Sequence, residues 1–324
     1  MEVTVEKIDD INFIFSGTIE NTVITKKALQ LKEEALKDQK SETLSDEIMQ
    51  QNAAGEVFKD FISNGMQKAN ISEEDLLGQP ALKKYEKSVQ TVYFEVEIST
   101  NPTVNVNIDY KEIAPEFTEP TVSSQEVEEK LLELSKKQTS EKFDVIIDDA
   151  FAKKALNDET ATLVILKTKL VKQITSEKLS QNYIDELKSK IIEALLLKID
   201  FSLPNNLIEQ EIDTKVRETT KSYTQEQQQS FIDNKGKFME LRESFRQEAR
   251  DNIKIALIVE ALALKEGITV HDQEVHTALS YQAMLTGENL HELFKYYKEN
   301  NLLDSIKMGL TEDKVFGVIL GFNK

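Results

Sequence analysis

Alternation of apolar and polar residues predicts short β-strands in the first third of the chain. Apolar residues occupy every second position at residues 3–5 and again at residues 11–19, and Asp9 and Asp10 between them indicate a turn. The same alternation returns at residues 89–98 and continues beyond Pro102 at residues 104–108. These segments predict a hairpin and two further strands of a small sheet.

Apolar residues take helical spacing between those strands, at residues 25–39 and 44–68. Strands and helices mixed in this way predict an α+β domain over residues 1–110. The next segment is residues 111–147. Its first part contains Pro115 and Pro120 and shows little periodicity, which is typical of an extended connector. A helix follows within it, because Ser123 and Glu126 form the pattern of a capping box.

Residues 148–324 have helical spacing almost throughout and predict a mainly α-helical C-terminal domain. Pro204 stands where a first-turn proline begins a helix, and Gly267 stands where glycine ends one. The clearest helices are predicted at residues 181–198, 248–266, 272–285, 290–300 and 302–320. The helix at 248–266 is apolar on nearly every side and is expected to form the spine of this domain.

The charge of the chain argues against a nucleic-acid partner. Lysine and arginine number 40 against 58 acidic residues, a formal net charge of −18, whereas DNA binding needs clustered cations that release counterions from phosphates. Cysteine is absent, which suits a reducing cytosol, and no apolar stretch approaches the roughly 20 residues of a membrane span. The expectation is a cytoplasmic protein with no membrane or DNA partner.

Candidate catalytic and cofactor groups do not assemble in the sequence. His271 and His276 are five residues apart, so they do not share the helix face that i, i+4 metal ligands need. Glycine-rich phosphate loops and nucleophile elbows are missing, and Asp148 with Asp149 is explained as a helix N-cap. We therefore expect no enzyme activity, no metal and no cofactor.

Aromatic and methionine side chains are concentrated in the helical half. Most will pack in a core, but adjacent tyrosines at 296 and 297 cannot both face one core, and methionine and aromatic groups suit adaptable apolar surfaces. The candidate polypeptide-binding residues are Phe231, Phe238, Met239, Tyr281, Met284, Leu285, Phe294, Tyr296 and Tyr297.

Five segments, read in order, resemble the trigger factor family of bacterial ribosome-associated chaperones. They are MEVTVE at residues 1–6, VYFEVEI followed by Pro102 at 92–104, DFSLPNNLIEQEI at 200–212, the spine helix and its end at 248–268, and FKYYK at 294–298. The resemblance implies an elongated fold in which the helical domain carries arms, and binding of unfolded or nascent polypeptides without ATP.

Two departures from the family pattern change the implied function. The family carries a prolyl isomerase domain of the FKBP type after the helix that here ends near Gln138, whereas this chain reaches Asp148 within about ten residues. The resemblance therefore implies a member without that domain and without isomerase activity.

The second departure concerns ribosome docking, which the family performs with a Gly-Phe-Arg-x-Gly-Lys loop. Residues 38–47 take that place here, lack the arginine, and hold four acidic residues against one lysine. Because the loop does not match the family's motif, the resemblance assigns no ribosome-contact role to its residues. The residues that occupy the position of the motif are Lys40, Ser41, Thr43 and Leu44. Like charge predicts weak or absent docking on ribosomal RNA.

Two other classes of function stay open from the sequence. An adaptor on the same scaffold would bind one dedicated partner through one compact apolar patch, whereas a general chaperone would expose a broad, discontinuous surface. An enzyme of another type would need a concave pocket with convergent polar groups.

Overall fold

The computed structural model describes residues 2–37, 45–118, 120–138, 146–224, 226 and 234–321. The chain divides into two compact units, Met1–Val106 with Lys198–Thr269 and Asn107–Leu197 with Val270–Lys324. The domain limits predicted at residues 110 and 147 stay predictions, because this division follows packing rather than chain order. No helix among the described residues is long and apolar enough to cross a bilayer.

The first unit contains a four-stranded antiparallel sheet with strand order β1-β2-β4-β3. The strands are β1 (Thr4–Lys7), β2 (Asn12–Glu20), β3 (Ala81–Lys87) and β4 (Thr91–Ser99). The predicted hairpin and the strand at residues 89–98 are confirmed. Nine consecutive residue pairs join β2 to β4, so residues far apart in sequence form the centre of the sheet.

One strand prediction is wrong, and one strand was missed. Residues 101–109 form no strand, although the side chains from Pro102 to Ile108 alternate between half-buried and exposed. That alternation shows one side of an extended segment packed on the protein, which does not require a partner strand. Strand β3 was not predicted. It is an edge strand whose sequence, ALKKYEK, is polar and exposed at most positions, so it lacks the apolar alternation that reveals a strand.

Helices α1 (Asn21–Lys37) and α2 (Asp46–Ala69) cover one face of the sheet. Their apolar sides pack on alternate residues of β2 and β4; the fully buried centre includes Phe15, Phe61 and Val96. Gly65 of α2 is required by this packing, since a Cβ at that position would lie 2.3 Å from the ring of Phe15.

The other face of the sheet is closed at one end by a polar network. The Asn12 side-chain amide donates to Asp9 Oδ2 (2.8 Å) and to the Leu203 carbonyl (2.9 Å), and its Oδ1 accepts from Ser99 Oγ (2.6 Å) and the Asn205 N–H (3.1 Å). Asn12 and Ser99 are completely buried. The network fixes the segment that enters α7 (Asn205–Thr220) against β2 and β4.

Two further contacts strengthen the same junction. Glu97 Oε1 accepts from Asn205 Nδ2 at 2.9 Å, and Lys83 Nζ lies 3.0 Å from Glu97 Oε2, an ion pair without the angle of a hydrogen bond. Asn206 Nδ2 donates to the Leu77 carbonyl at 2.6 Å. The buried carboxylate is therefore neutralised rather than left unpaired.

Helices α8 (Lys235–Ser244) and α9 (Arg246–Glu266) complete the first unit and pack on α7. Arg242 pairs with Asp213 and Glu209, and Arg246 pairs with Glu209 at 2.8 Å. Burial of the Glu209 carboxyl raises its pKa, but hydrogen bonds from Arg246 and Arg242 lower it by more, so the pKa lies below its ordinary value. The predicted end of the spine helix is confirmed, since Gly267 caps α9 with φ +65°.

The second unit contains seven α-helices within the described residues. They are α3 (Ser124–Gln138), α4 (Asp149–Leu156), α5 (Leu163–Asn182), α6 (Lys188–Lys198), α10 (Asp272–Thr286) and α11 (Leu290–Glu299), followed by a seventh, α12 (Leu303–Ile319). The predicted capping box is present, with Ser123 N–H donating to Glu126 Oε2 at 2.9 Å. Asp148 caps α4 as expected, by accepting from the Phe151 N–H at 3.0 Å.

A π-helical turn, Tyr183–Leu187, joins α5 to α6, so the helix predicted at 181–198 is in fact two elements. The Tyr183 hydroxyl donates to Asp313 Oδ1 at 2.9 Å, and Lys188 pairs with Glu312 at 2.6 Å. Both contacts fix the turn to α12. Because apolar spacing changes by only one residue at such a turn, periodicity alone does not reveal it.

Candidate functional site

Helices α10 and α11 pack through one face each and leave the opposite faces to solvent. Val275, Leu279 and Ala283 of α10 are buried against Leu293 of α11. These positions lie at four-residue spacing, so they form one stripe on α10. The remaining apolar residues of α10 must then lie on other faces of the helix, outside this stripe.

An exposed apolar stripe follows from that geometry. Tyr281, Met284 and Leu285 lie at i, i+3 and i+4 on α10 and are 60%, 70% and 66% exposed. Tyr296 on α11 is 56% exposed. Large apolar side chains at these exposures stay in contact with water, which favours any partner that covers them.

The adjacent tyrosines take different roles, as their adjacency predicts. Tyr297 is half-buried against the α10–α11 core and its hydroxyl pairs with Gln282 Nε2 at 3.1 Å. The Tyr296 ring meets it edge to face at 5.8 Å between centroids. Phe294 is also half-buried and stacks near His276 at 6.0 Å. Phe294 and Tyr297 therefore pack beneath the exposed side chains and contribute little to the exposed surface themselves.

A cleft of about 460 Å³ opens beside these rings. Leu293, Tyr296 and Tyr297 provide its apolar lining, and Glu288 and Glu292 provide carboxylates near it. Neither α10 nor α11 supplies a basic residue to the lining. The cleft can hold an apolar side chain next to a positive charge. We name Tyr281, Met284, Leu285 and Tyr296, together with this cleft, the α10–α11 surface.

Other predicted binding residues lie outside this surface. Phe238 and Met239 belong to α8 in the first unit and are 39% and 60% exposed; Arg242 stacks over the Phe238 ring at 5.7 Å. Phe231 and the loop residues Lys40, Ser41, Thr43 and Leu44 lie outside the described residues.

A second exposed apolar feature escaped the sequence analysis. Val164, Thr168, Val171 and Thr175 follow one another at i, i+4, i+7 and i+11 on the outer side of α5, and we name them the α5 ridge. Val164 is 72% and Val171 39% exposed, Thr168 is exposed, and Thr175 is half-buried. Leu166, Leu170 and Ile174 form the buried side of the same helix. The sequence could have revealed the ridge, because α5 has apolar residues on two of its faces. Only one face packs in the core, so the other must contact solvent or a partner.

Among the described residues, no three histidine, aspartate or glutamate side chains come together in a way that could hold a metal ion. His276 lies on the exposed side of α10, with Nδ1 3.4 Å from Ser280 Oγ. Nothing in that arrangement activates a nucleophile, because the Ser280 hydroxyl donates to the His276 backbone carbonyl at 2.8 Å instead.

Residues 162–321 match the family model described as "Bacterial trigger factor protein (TF) C-terminus". A trigger factor of Sulfurovum sp. is 34% identical in an alignment of 427 residues that covers 99% of this chain and 100% of the relative. A trigger factor of Nitratiruptor sp. is 28% identical, with 99% and 98% covered. A trigger factor of Helicobacter pylori is 43% identical, but over only 55% of this chain and 40% of its own length.

One solved structure is similar over its whole length. It was determined in work on promiscuous substrate recognition in folding and assembly by the trigger factor chaperone, and it matches with a TM-score of 0.54 and 16% identity over 99% of each chain. At that identity the match establishes the fold.

A four-stranded antiparallel sheet joined to a predominantly helical chain defines the fold, and the fold matches that solved structure. The chain belongs to the trigger factor family. The alignment with the Sulfurovum relative is 427 positions long and this chain has 324 residues, so roughly a hundred positions have no counterpart here. That difference is consistent with the absence of the family's inserted isomerase domain.

Proposed function

We propose that this protein is an ATP-independent cytoplasmic chaperone that binds unfolded or nascent polypeptides at the α10–α11 surface, with Phe238 and Met239 on α8 as additional contacts. The observation that carries the proposal is the exposed stripe on α10, where three large apolar side chains lie on one helix face. The family membership supports the chaperone class.

Binding at this surface is expected to be weak at each contact and additive over several contacts. Covering apolar surface contributes about 25 cal/mol per Å², and part of that gain is offset by ordering the client chain. Methionine adapts to irregular partners because its side chain is unbranched and polarisable. Such a surface suits many different clients with moderate affinity.

Prolyl isomerisation is not part of the proposed function. The chain passes from α3 to α4 within residues 139–148, where the family's inserted domain would stand. A proline tetrapeptide assay should give a rate equal to the uncatalysed rate at every protein concentration. A rate that rises in proportion to protein concentration refutes this part of the proposal.

An aggregation assay tests client holding. We expect a several-fold molar excess of the protein to delay aggregation of a chemically unfolded client without nucleotide. Replacing Tyr296 or Met284 by serine should weaken the delay while the melting temperature changes little, because both side chains are mainly exposed. The matched control is Leu29→Ser, which removes an apolar side chain of 58% exposure from α1.

The outcomes separate chaperone from adaptor. Equal loss of holding in the α1 control would show that the α10–α11 surface has no special role. A large fall in melting temperature for both α10–α11 variants would assign these side chains to the core. If affinity capture recovers one stoichiometric partner rather than many polypeptides, the adaptor function replaces the chaperone function.

A further inference from the structure

The α5 ridge is more apolar than its composition indicates. The Thr168 hydroxyl donates to the Val164 carbonyl at 2.9 Å, and the Thr175 hydroxyl donates to the Val171 carbonyl at 2.8 Å. Each threonine thus satisfies its polar group on its own helix. Its γ-methyl group then takes the place that a valine methyl would have, so Val164, Thr168 and Val171 present methyl groups to solvent, and the half-buried Thr175 ends the ridge.

Lysines border this ridge on both sides. At 100° per residue, Lys167 and Lys172 lie about 70° to either side of the ridge line. Both are exposed, and neither has a carboxylate oxygen within 4.0 Å of its Nζ among the described residues. The same holds for Lys153 and Lys154 on α4, the helix that precedes α5.

Two acidic groups on or next to α5 are already engaged. The single glutamate of α5, Glu177, pairs with Lys130 of α3 at 3.5 Å and accepts a hydrogen bond from Gln173. Asp158, in the turn before α5, accepts from Thr160, and the charge of Lys169 contributes to lowering its pKa. Helix α5 carries four lysines against one glutamate and is therefore positive on a chain of net charge −18.

We propose, on the basis of the proposed chaperone function, that the α5 ridge is a second polypeptide-binding surface that takes extended client segments whose apolar residues are flanked by aspartate or glutamate. The ridge is about 16 Å long, from eleven residues at 1.5 Å each, which matches about five residues of an extended chain. The methyl groups cover the client's apolar side chains, and Lys167 and Lys172 meet its carboxylates.

This surface complements the α10–α11 surface in charge. Glu288 and Glu292 lie beside the cleft there, whereas lysines border the ridge here. A client segment rejected at one surface by like charge is accepted at the other. A nucleic acid fits the ridge less well, because its phosphate backbone offers no apolar groups to cover the valine and threonine methyl groups.

The test uses two labelled peptides with the same alternating apolar centre, one flanked by glutamates and the other by lysines, and fluorescence anisotropy on the full chain. Changing Lys167 and Lys172 together to glutamate should raise the Kd of the acidic peptide by roughly tenfold or more. Changing Val164 and Val171 together to serine should raise it by about fivefold. Neither variant should weaken binding of the lysine-flanked peptide.

A matched control keeps the net charge equal. Lys111 and Lys307 are also exposed, and changing both to glutamate gives the same total charge as the ridge double variant. We expect less than about twofold change in the Kd of the acidic peptide in this control. Circular dichroism melts of all variants should coincide, because every substituted side chain lies at the surface.

Three results overturn the inference. The acidic peptide could bind the ridge lysine variant as tightly as the unmodified protein. It could be insensitive to the valine variant while a short single-stranded RNA competes for the lysines, which would define a polyanion site. Lastly, the charge control could match the ridge variant. If neither peptide binds at all, the proposed chaperone function fails as well; binding of the lysine-flanked peptide alone leaves that function intact.

Discussion

Replacement of Asn12 by alanine is the sharpest test of how the sheet is joined to α7. The Asn12 side chain is completely buried and makes four hydrogen bonds, with Asp9, Leu203, Ser99 and Asn205. Alanine removes all four at once. The Leu203 carbonyl, the Ser99 hydroxyl and the Asn205 N–H are then left in the interior without their partner.

The magnitude follows from the number of groups left without a partner. Each buried polar group that loses its hydrogen bond costs about 1–3 kcal/mol, and a water molecule entering the vacated space recovers part of that. We therefore expect the free energy of unfolding to fall by about 3–5 kcal/mol. That loss is a large fraction of the stability of an ordinary domain.

The measurement is urea unfolding combined with amide hydrogen exchange. Asn12→Ala should lower protection in β2, β4 and α7 together, since one side chain connects all three. Asn252→Ala is the control, because Asn252 is exposed and bonds to Glu211 at 3.0 Å on the surface. A loss below about 1 kcal/mol, or loss of protection in the sheet alone, would show that the network does not join the two elements.

Three further predictions test other features. Gly65→Ala should destabilise by about 1–3 kcal/mol through collision with Phe15, whereas Gly55→Ala, which meets no atom within 4 Å, should stabilise by about 0.5–1 kcal/mol; equal effects in urea unfolding would contradict the packing. Because the pKa of Glu209 is lowered in the folded state, its contribution is complete above the ordinary value near 4.5 and is lost as pH falls below it. Glu209→Gln should therefore cost stability at pH 7 and less at pH 3, and a pH-independent loss would contradict the pairing. Ribosome co-sedimentation should be weak or absent, and should be gained when the family's basic loop sequence is grafted into residues 38–47; submicromolar binding of the unmodified protein in low salt would contradict this.

Much of the fold could be predicted from local pattern because each element repeats its apolar residues with its own period. Strand alternation located β2 and β4, and Gly267 located the end of α9. Strand β3 could not be found this way, since it is an edge strand and its exposed lysines hide the alternation. Residues 102–108 were wrongly predicted as a strand. An extended segment that packs on the protein through one side shows the same alternation of apolar and polar residues as a strand does.

The candidate site was less predictable than the fold. Adjacent tyrosines at 296 and 297 correctly indicated that one ring would be exposed, because neighbours on a helix lie 100° apart. The α5 ridge was missed because threonine is counted as polar, whereas its hydroxyl here is bonded within the helix. Burial also depends on which helices meet, so Leu264, 85% exposed on an apolar helix, could not be identified beforehand.

The polar junction around Asn12 also sets an order of events during synthesis. Asn12 leaves the ribosome 191 residues before Leu203. Ser99, the last residue of β4, leaves about a hundred residues before Leu203, a delay of about 5–20 s at about 5–20 residues per second. Over that interval the apolar centre of the sheet can already close over α1 and α2, whereas the Asn12 side chain has Asp9 and Ser99 as partners but lacks Leu203 and Asn205, so water must take their place. One end of the nascent sheet therefore stays hydrated until α7 has been synthesised. The first unit is completed only when Lys198–Thr269 has followed Met1–Val106 out of the ribosome.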